Sequence, residues 1–264
     1  VTEIYKLTRG KAPLLISIPH LGIHIQNELR ETYTDAALAL ADTDWHLDRL
    51  YDFAHELGAT VLSANVSRYV IDLNRPSSDE SLYPGQLTTS LCPEQTFRGE
   101  AVYRDGHIPS TDEKIWRVKA HWQPYHDCLA EELRRLRGEN PHVLLWDAHS
   151  IASVLPRLFD GKLPDLNIGT QDGRTAAECV LRAATSGAAR SGYTWVADGR
   201  FKGGFITRHY GAPQEGIHAI QLEMSQSTYM EEVAPFRLIS HRARMVKQTL
   251  KTMVGSALDA MNTL

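Results

Sequence analysis

The chain of 264 residues holds only three cysteines, Cys92, Cys128 and Cys179, which are widely spaced and form no CxxC pair. An odd, scattered set excludes a disulfide framework and a cysteine-only zinc knuckle, and it suits a reducing compartment. No apolar stretch approaches the roughly 18–20 residues that span a bilayer. The opening VTEIYKLTRGKAP lacks the apolar centre of an export signal, so a cytoplasmic protein without membrane attachment is expected. Positive charge is not in excess: the net charge is -4 and the pI about 6.3, which argues against a general nucleic-acid binder. The phosphate-cradling GxGxxG and GxxxxGK[ST] patterns and the GxSxG nucleophile turn are all missing.

What remains is an ordinary soluble composition, 42% hydrophobic and 23% charged, with twelve histidines. A chain of this length can bury a substantial core, and imidazole is the commonest metal ligand.

Apolar runs alternate with helical periodicity along the chain. PLLISIP, VLSA, YVIDL, HVLLWDAH, DLNIGT, YTWVA and HAIQLEM read as strands, the best of them apolar on both faces. A helix is predicted from Asp44 to Gly58, another after the Ser110/Glu113 capping pair with a kink or break at Pro124, a third over 173–186 and a last from Pro235 to Met261. Residues 74–103 lack periodicity and read as a long functional loop. The pattern predicts one domain over residues 1–264, an α/β sandwich around a largely buried sheet.

Two apolar runs end in histidine. SIPHLGIH places His20 after one strand, with His24 beyond it, and LLWDAHS places His149 after another. Ligands of open α/β sheets gather beyond the carboxyl ends of strands, so both imidazoles are expected at one edge. Each histidine alone is as easily a strand-end hydrogen-bonding residue; together they favour a metal, with a carboxylate as third ligand and an open position. SRYVIDLNR carries Arg68, Asp72, Asn74 and Arg75, a group suited to binding a carboxylate or to a local Asp72–Arg ion pair. Glu223 sits inside the apolar IQLEMSQ, where a carboxylate is either paired or raised in pKa as a base. GRFKGGFITRHYG joins glycines to Arg200, Lys202, Arg208 and His209, reading as a close-approaching loop for an acidic ligand or as a solvated hairpin.

Taken together, SIPHLG, DTDWHLDRLYDF, SRYVIDLNRP, LYPGQ, WQPYH, LLWDAHS, PRLFDGKLPDLNIGT, GRFKGGFITRHYG and HAIQLEMSQSTYM resemble the N-formylglutamate amidohydrolase family, from about residue 15 to residue 230. That family is similar to zinc carboxypeptidases and aspartoacylase-like deacylases. The resemblance implies a three-layer α/β/α fold with a mixed sheet and one divalent metal ion, zinc being expected. It further implies hydrolysis of N-formyl-L-glutamate in one branch of histidine catabolism. His20 and His149 match the metal histidines. The relatives' glutamate three residues after the first histidine is Ile23 here, so Asp44 is the expected carboxylate ligand, with His24, Asp42 and Glu28 as alternatives. Glu223 resembles the general base and Arg68 the arginine that polarises the carbonyl. Asn74 and Arg75 match the pair that holds the α-carboxylate, and Arg208 is the candidate for the second carboxylate. The expected partner is thus a small acidic N-formyl amino acid.

Overall fold

The computed structural model describes residues 3–82 and 88–264. Most of the LYPGQ stretch, and with it the middle of the irregular 74–103 segment, lies outside the described residues.

A single seven-stranded sheet forms the frame. Its strands are β1 (Tyr5–Thr8), β2 (Leu14–Ile18), β3 (Thr60–Ala64), β4 (Val143–Ile151), β5 (Leu166–Gly169), β6 (Trp195–Ala197) and β7 (Ile217–Ser225), in the spatial order β1-β3-β2-β4-β7-β5-β6. The centre, β3-β2-β4-β7, is parallel, while β1 and β5 pair antiparallel to their neighbours β3 and β7. The sheet is therefore mixed. β2 and β4 are buried along their whole length, as expected for strands covered on both faces.

Short helices α1 (Asn27–Arg30), α2 (Asp35–Leu38) and α3 (Leu47–Leu50) precede β3, and α4 (Thr111–Arg117), α5 (Gln123–Glu139), α6 (Glu178–Ala189), α7 (Phe205–Tyr210) and α8 (Ser240–Ala260) follow it. One core joins Leu14, Ile16, Leu144, Trp146, Ile220 and Leu222 of the sheet to Val180 of α6 and Val246, Leu250 and Met253 of α8. The other face joins Leu15, Leu62, Val143, Leu145 and Ala219 to Tyr125, Leu129, Leu133 and Leu136 of α5. Apolar area buried on both faces, at about 25 cal/mol per Å², is the main stabilising contribution. The result is the α/β sandwich that the strand–helix alternation predicts, with the three layers that the family resemblance implies. Among the described residues no helix is long and apolar enough to cross a membrane.

Several predicted elements differ locally. YVIDL is not a strand: residues 67–75 run as turns, with Val70 N–H donating to Ser67 O and Arg75 N–H to Asp72 O. Its apolar residues are buried by folding back beneath α5, and a short apolar run cannot distinguish that from a strand. The helix expected from Asp44 is reduced to α3 and a 3₁₀ turn, Asp52–His55, because His46 adopts φ 65° and the Asp44 side chain turns inward. Pro124 is accommodated by a π-helical turn, Val118–Trp122, between α4 and α5. The last helix starts at Ser240, five residues after Pro235, and the GGFITRHYG loop contains α7.

Candidate active site

Alternation along the two longest strands places the chemistry. On β4, Leu144, Trp146 and Ala148 face the α6/α8 layer, so Asp147 and His149 face the other way. On β7, Ile220, Leu222 and Met224 do the same, leaving Gln221 and Glu223 on the side of His149. The parallel register sets His149 opposite Glu223 and Asp147 opposite Gln221. His20 arrives from the loop just past β2, where its carbonyl accepts the Asp44 N–H at 3.0 Å. That one backbone bond brings a histidine and a carboxylate together from segments 24 positions apart.

His20 Nδ1 and His149 Nδ1 lie 3.1 Å apart. Asp44 Oδ2 is 3.3 Å from His149 Nδ1 and 3.7 Å from His20 Nδ1. All three side chains are buried and could present one ligand atom each to a single metal ion. The outer imidazole nitrogens are engaged: His20 Nε2 is 2.7 Å from Asp72 Oδ1, and His149 Nε2 is 3.0 Å from Asp147 Oδ2. A carboxylate on the far nitrogen holds the proton there and leaves the inner lone pair available, the usual outer support of a metal-ligating histidine. Both oxygens of Asp44 are buried without a hydrogen-bond partner. Asp44, Asp72 and Asp147 are three buried carboxylates, and the buried Arg68 is a fixed cation beside the first two. Unpartnered carboxylate oxygens facing two imidazole nitrogens are a donor set that a divalent cation fits.

The charged groups of the site shift one another's ionisation. Burial alone would raise Asp44, but the facing imidazoles of His149 and His20 hold it at about 2. Asp72 is held well below the usual carboxylate range, its burial outweighed by His20 and Arg68. Glu223 behaves oppositely. Desolvation pushes it up to about 8, against the pull of His149, with Asp44 adding to the rise. Its carboxyl is partly open to a cavity of about 650 Å³, mouth included, lined also by His20, His149, Arg68, Asn74 and Arg75.

The family model for N-formylglutamate amidohydrolase matches residues 12–230. The chain belongs to that family. It is 48% identical to an N-formylglutamate deformylase of Pseudomonas aeruginosa over 97% of this chain and 96% of that protein. It is 47% identical to one of Pseudomonas putida over the same shares. In fold it is similar to the crystal structure of an N-formylglutamate amidohydrolase from Ralstonia eutropha, with a TM-score of 0.83 and 22% identity over 99% of each chain.

Within this family frame, the sequence-predicted residues fall into place unevenly. His20, His149 and Asp44 come together, with Glu223 opposite His149. Of the alternative ligands, Asp42 accepts the Phe97 N–H at 2.7 Å, and His24 and Glu28 line a separate surface cleft with His121. Arg68 donates from Nη2 to Asp72 Oδ2 at 2.8 Å and lies over the Phe97 ring. The Asp72–Arg68 pair is therefore real, and it is also joined to His20. Asn74 accepts the Ile206 N–H at 2.8 Å and sets its amide nitrogen 3.1 Å from His149 Nε2. Arg75 is held by the Thr89 carbonyl and hydroxyl. The strand that would have put Arg75 on the opposite face from Asn74 does not form, so both line one cavity.

Arg208 is not brought in. It donates to Gly203 O at 2.8 Å and Leu82 O at 3.0 Å, and does not line the cavity. Gln221, Phe97 and Phe201 line the cavity and Asp147 braces His149 without having been assigned a role from the sequence, and Arg200 stands there only as one cation of a glycine-containing loop. Asp147 and Gln221 carry a usable signal: they stand two residues before His149 and Glu223 on their strands and so share their face. Phe97 and the Arg200–Phe201 pair belong to irregular segments and carry none.

Proposed function

We propose that the chain is a metal-dependent deformylase that hydrolyses N-formyl-L-glutamate to formate and L-glutamate, in keeping with a role in histidine degradation. The observation that carries the reading is the convergence of His20, His149 and Asp44 on one point, with Glu223 across the strand pair and Asn74–Arg75 on the same cavity. The names of the Pseudomonas relatives support the substrate.

His20, His149 and Asp44 would hold the ion, zinc being expected although His/carboxylate sites accept other first-row divalent metals. When bound, such an ion supplies Lewis acidity toward the formyl carbonyl and the attacking water. Asp72 and Asp147 keep the two imidazoles oriented. Glu223, as its carboxylate, takes a proton from the attacking water and returns it to the leaving amine nitrogen as the C–N bond breaks. Arg68 offers fixed positive charge to the oxyanion that develops on the formyl oxygen. Asn74 and Arg75 hold the α-carboxylate, where a planar guanidinium binds bidentately.

The test is formate release from N-formylglutamate, N-acetylglutamate and a short formylated peptide, with and without a chelator. Release from formylglutamate that the chelator abolishes and a divalent metal restores is the expected result. Chelator-resistant turnover would remove the metal from the reading, and preference for another substrate would remove the deformylase assignment.

A further inference from the structure

We propose that Arg200 reads the distal, side-chain carboxylate of the substrate and so decides that the enzyme takes an acidic formyl amino acid. The inference rests on the deformylase reading above and adds the residue that sets side-chain specificity.

A dicarboxylate that enters this cavity needs two cationic partners set apart from each other, because a buried carboxylate without one is prohibitive. Three arginines line the cavity among the described residues: Arg68, Arg75 and Arg200. Arg68 is occupied at the metal side, with Nη2 on Asp72 and Nη1 on the Asp42 carbonyl. Arg75 follows Asn74, whose amide touches His149, and so enters from the segment that continues from β3. Arg200 follows β6, the strand at the other end of the sheet, separated from β7 by β5. The two arginines thus come from segments that follow different strands, β3 and β6, and both line the cavity that holds His149 and Glu223. One substrate carboxylate on each arginine would leave the scissile amide in the same cavity as those residues.

The wall around Arg200 suits the task. Its Nε donates to the Leu158 carbonyl at 3.2 Å, which fixes the plane of the guanidinium. Its Cζ lies 5.6 Å from the centre of the Phe201 ring. Leu158 and Phe201 both line the cavity, giving an apolar surface for the methylenes between the two carboxylates. A guanidinium is less strongly hydrated than an ammonium and presents a planar fork to a carboxylate. Arg208 instead braces its own loop through Gly203 and Leu82.

The experiment measures kcat/KM for N-formyl-L-glutamate and N-formyl-L-glutamine, which differ only in the distal charge, in the metal-loaded enzyme and in R200Q, R200K and R208Q. The wild type should prefer the glutamate derivative. In R200Q that preference should fall on the order of a hundredfold, as for a truncated charge pair, with the glutamate derivative losing far more than the glutamine one. R208Q should lower both alike or neither. R200K keeps the charge but not the fork, and an intermediate preference is expected; this variant decides the matter if R200Q does not fold. Equal losses in R200Q, an unchanged ratio in R200K, or collapse of the ratio in R208Q instead would overturn the assignment. A wild type that turns over both substrates equally overturns it too. A wild type that releases formate from neither overturns the deformylase reading itself.

Discussion

His149 and Glu223 are direct register partners across the parallel β4–β7 pair, on the same side of the sheet and near the carboxyl ends of both strands. An imidazole that can bind a metal and a carboxyl raised to about 8 are therefore fixed by backbone hydrogen bonding rather than by loop conformation. Sites carried on strands hold their geometry more rigidly than sites on loops.

Glu223→Gln removes the proton acceptor while keeping the side chain's shape. Turnover should fall about a hundred- to ten-thousand-fold, with metal content by elemental analysis unchanged. Near-normal kcat would make Glu223 a structural residue.

Asp72 holds two partners, His20 at 2.7 Å and Arg68 at 2.8 Å, whereas Asp147 holds His149. Asp72→Asn and Asp147→Asn should each weaken metal binding, by roughly 10–100-fold in a competitive chelator titration. At saturating metal only Asp72→Asn should retain a large kcat deficit, because only that change releases Arg68. Full recovery of kcat in both variants would confine Asp72 to the metal.

Gly204 lets Asn74 approach its backbone. A Cβ at position 204 would fall 2.2 Å from the Asn74 amide nitrogen, and the Asn74 side chain is already fixed by accepting the Ile206 N–H. Gly204→Ala should cost about 1–3 kcal/mol by overpacking and raise KM through the displaced Asn74. Gly255→Ala, in open space on α8, is the control and should stabilise by about 0.4–1 kcal/mol. Denaturant midpoints and steady-state kinetics decide it, and an unperturbed KM in Gly204→Ala would detach Asn74 from substrate binding.

Burial lowers the pKa of His121 and of His126 to about 4. His126 is held neutral between the Leu73 carbonyl and the Tyr210 hydroxyl, each at 2.9 Å. Because the folded values lie below the ordinary 6.5, the unfolded chain binds more protons, so stability rises with pH across this range. The stabilisation is complete above about 6.5 and is lost as pH falls toward and through about 4. The thermal midpoint should drop over that window by roughly 2–4 °C per kcal/mol lost at this chain length, and His126→Gln should flatten the slope. A pH-independent midpoint from 6.5 to 4 would count against the neutral, buried state of both histidines.

Much of the fold and the site is legible in the amino-acid order. β2, β4 and β7 declare themselves because a strand covered on both faces must be apolar at every position that carries no chemistry, so Asp147, His149 and Glu223 stand out in runs that otherwise exclude charge. YVIDL misleads for the same reason, since Val70, Ile71 and Leu73 are as buried in turns as they would be in a sheet. Burial sets the composition of that segment without setting its dihedral angles.

The sequence alone determined the layered α/β fold, the two histidines at strand ends and the carboxyl on β7. Each follows from local periodicity, which fixes the face a side chain takes. Tertiary structure alone decided that Asp44, rather than Asp42, His24 or Glu28, joins the histidines, and that Arg200 rather than Arg208 reaches the cavity. Those choices depend on long-range contacts such as the Asp44 N–H to His20 carbonyl bond and the bracing of Arg208 by Gly203 and Leu82. Irregular segments have no periodicity, so the direction of their side chains is set only by what they pack against.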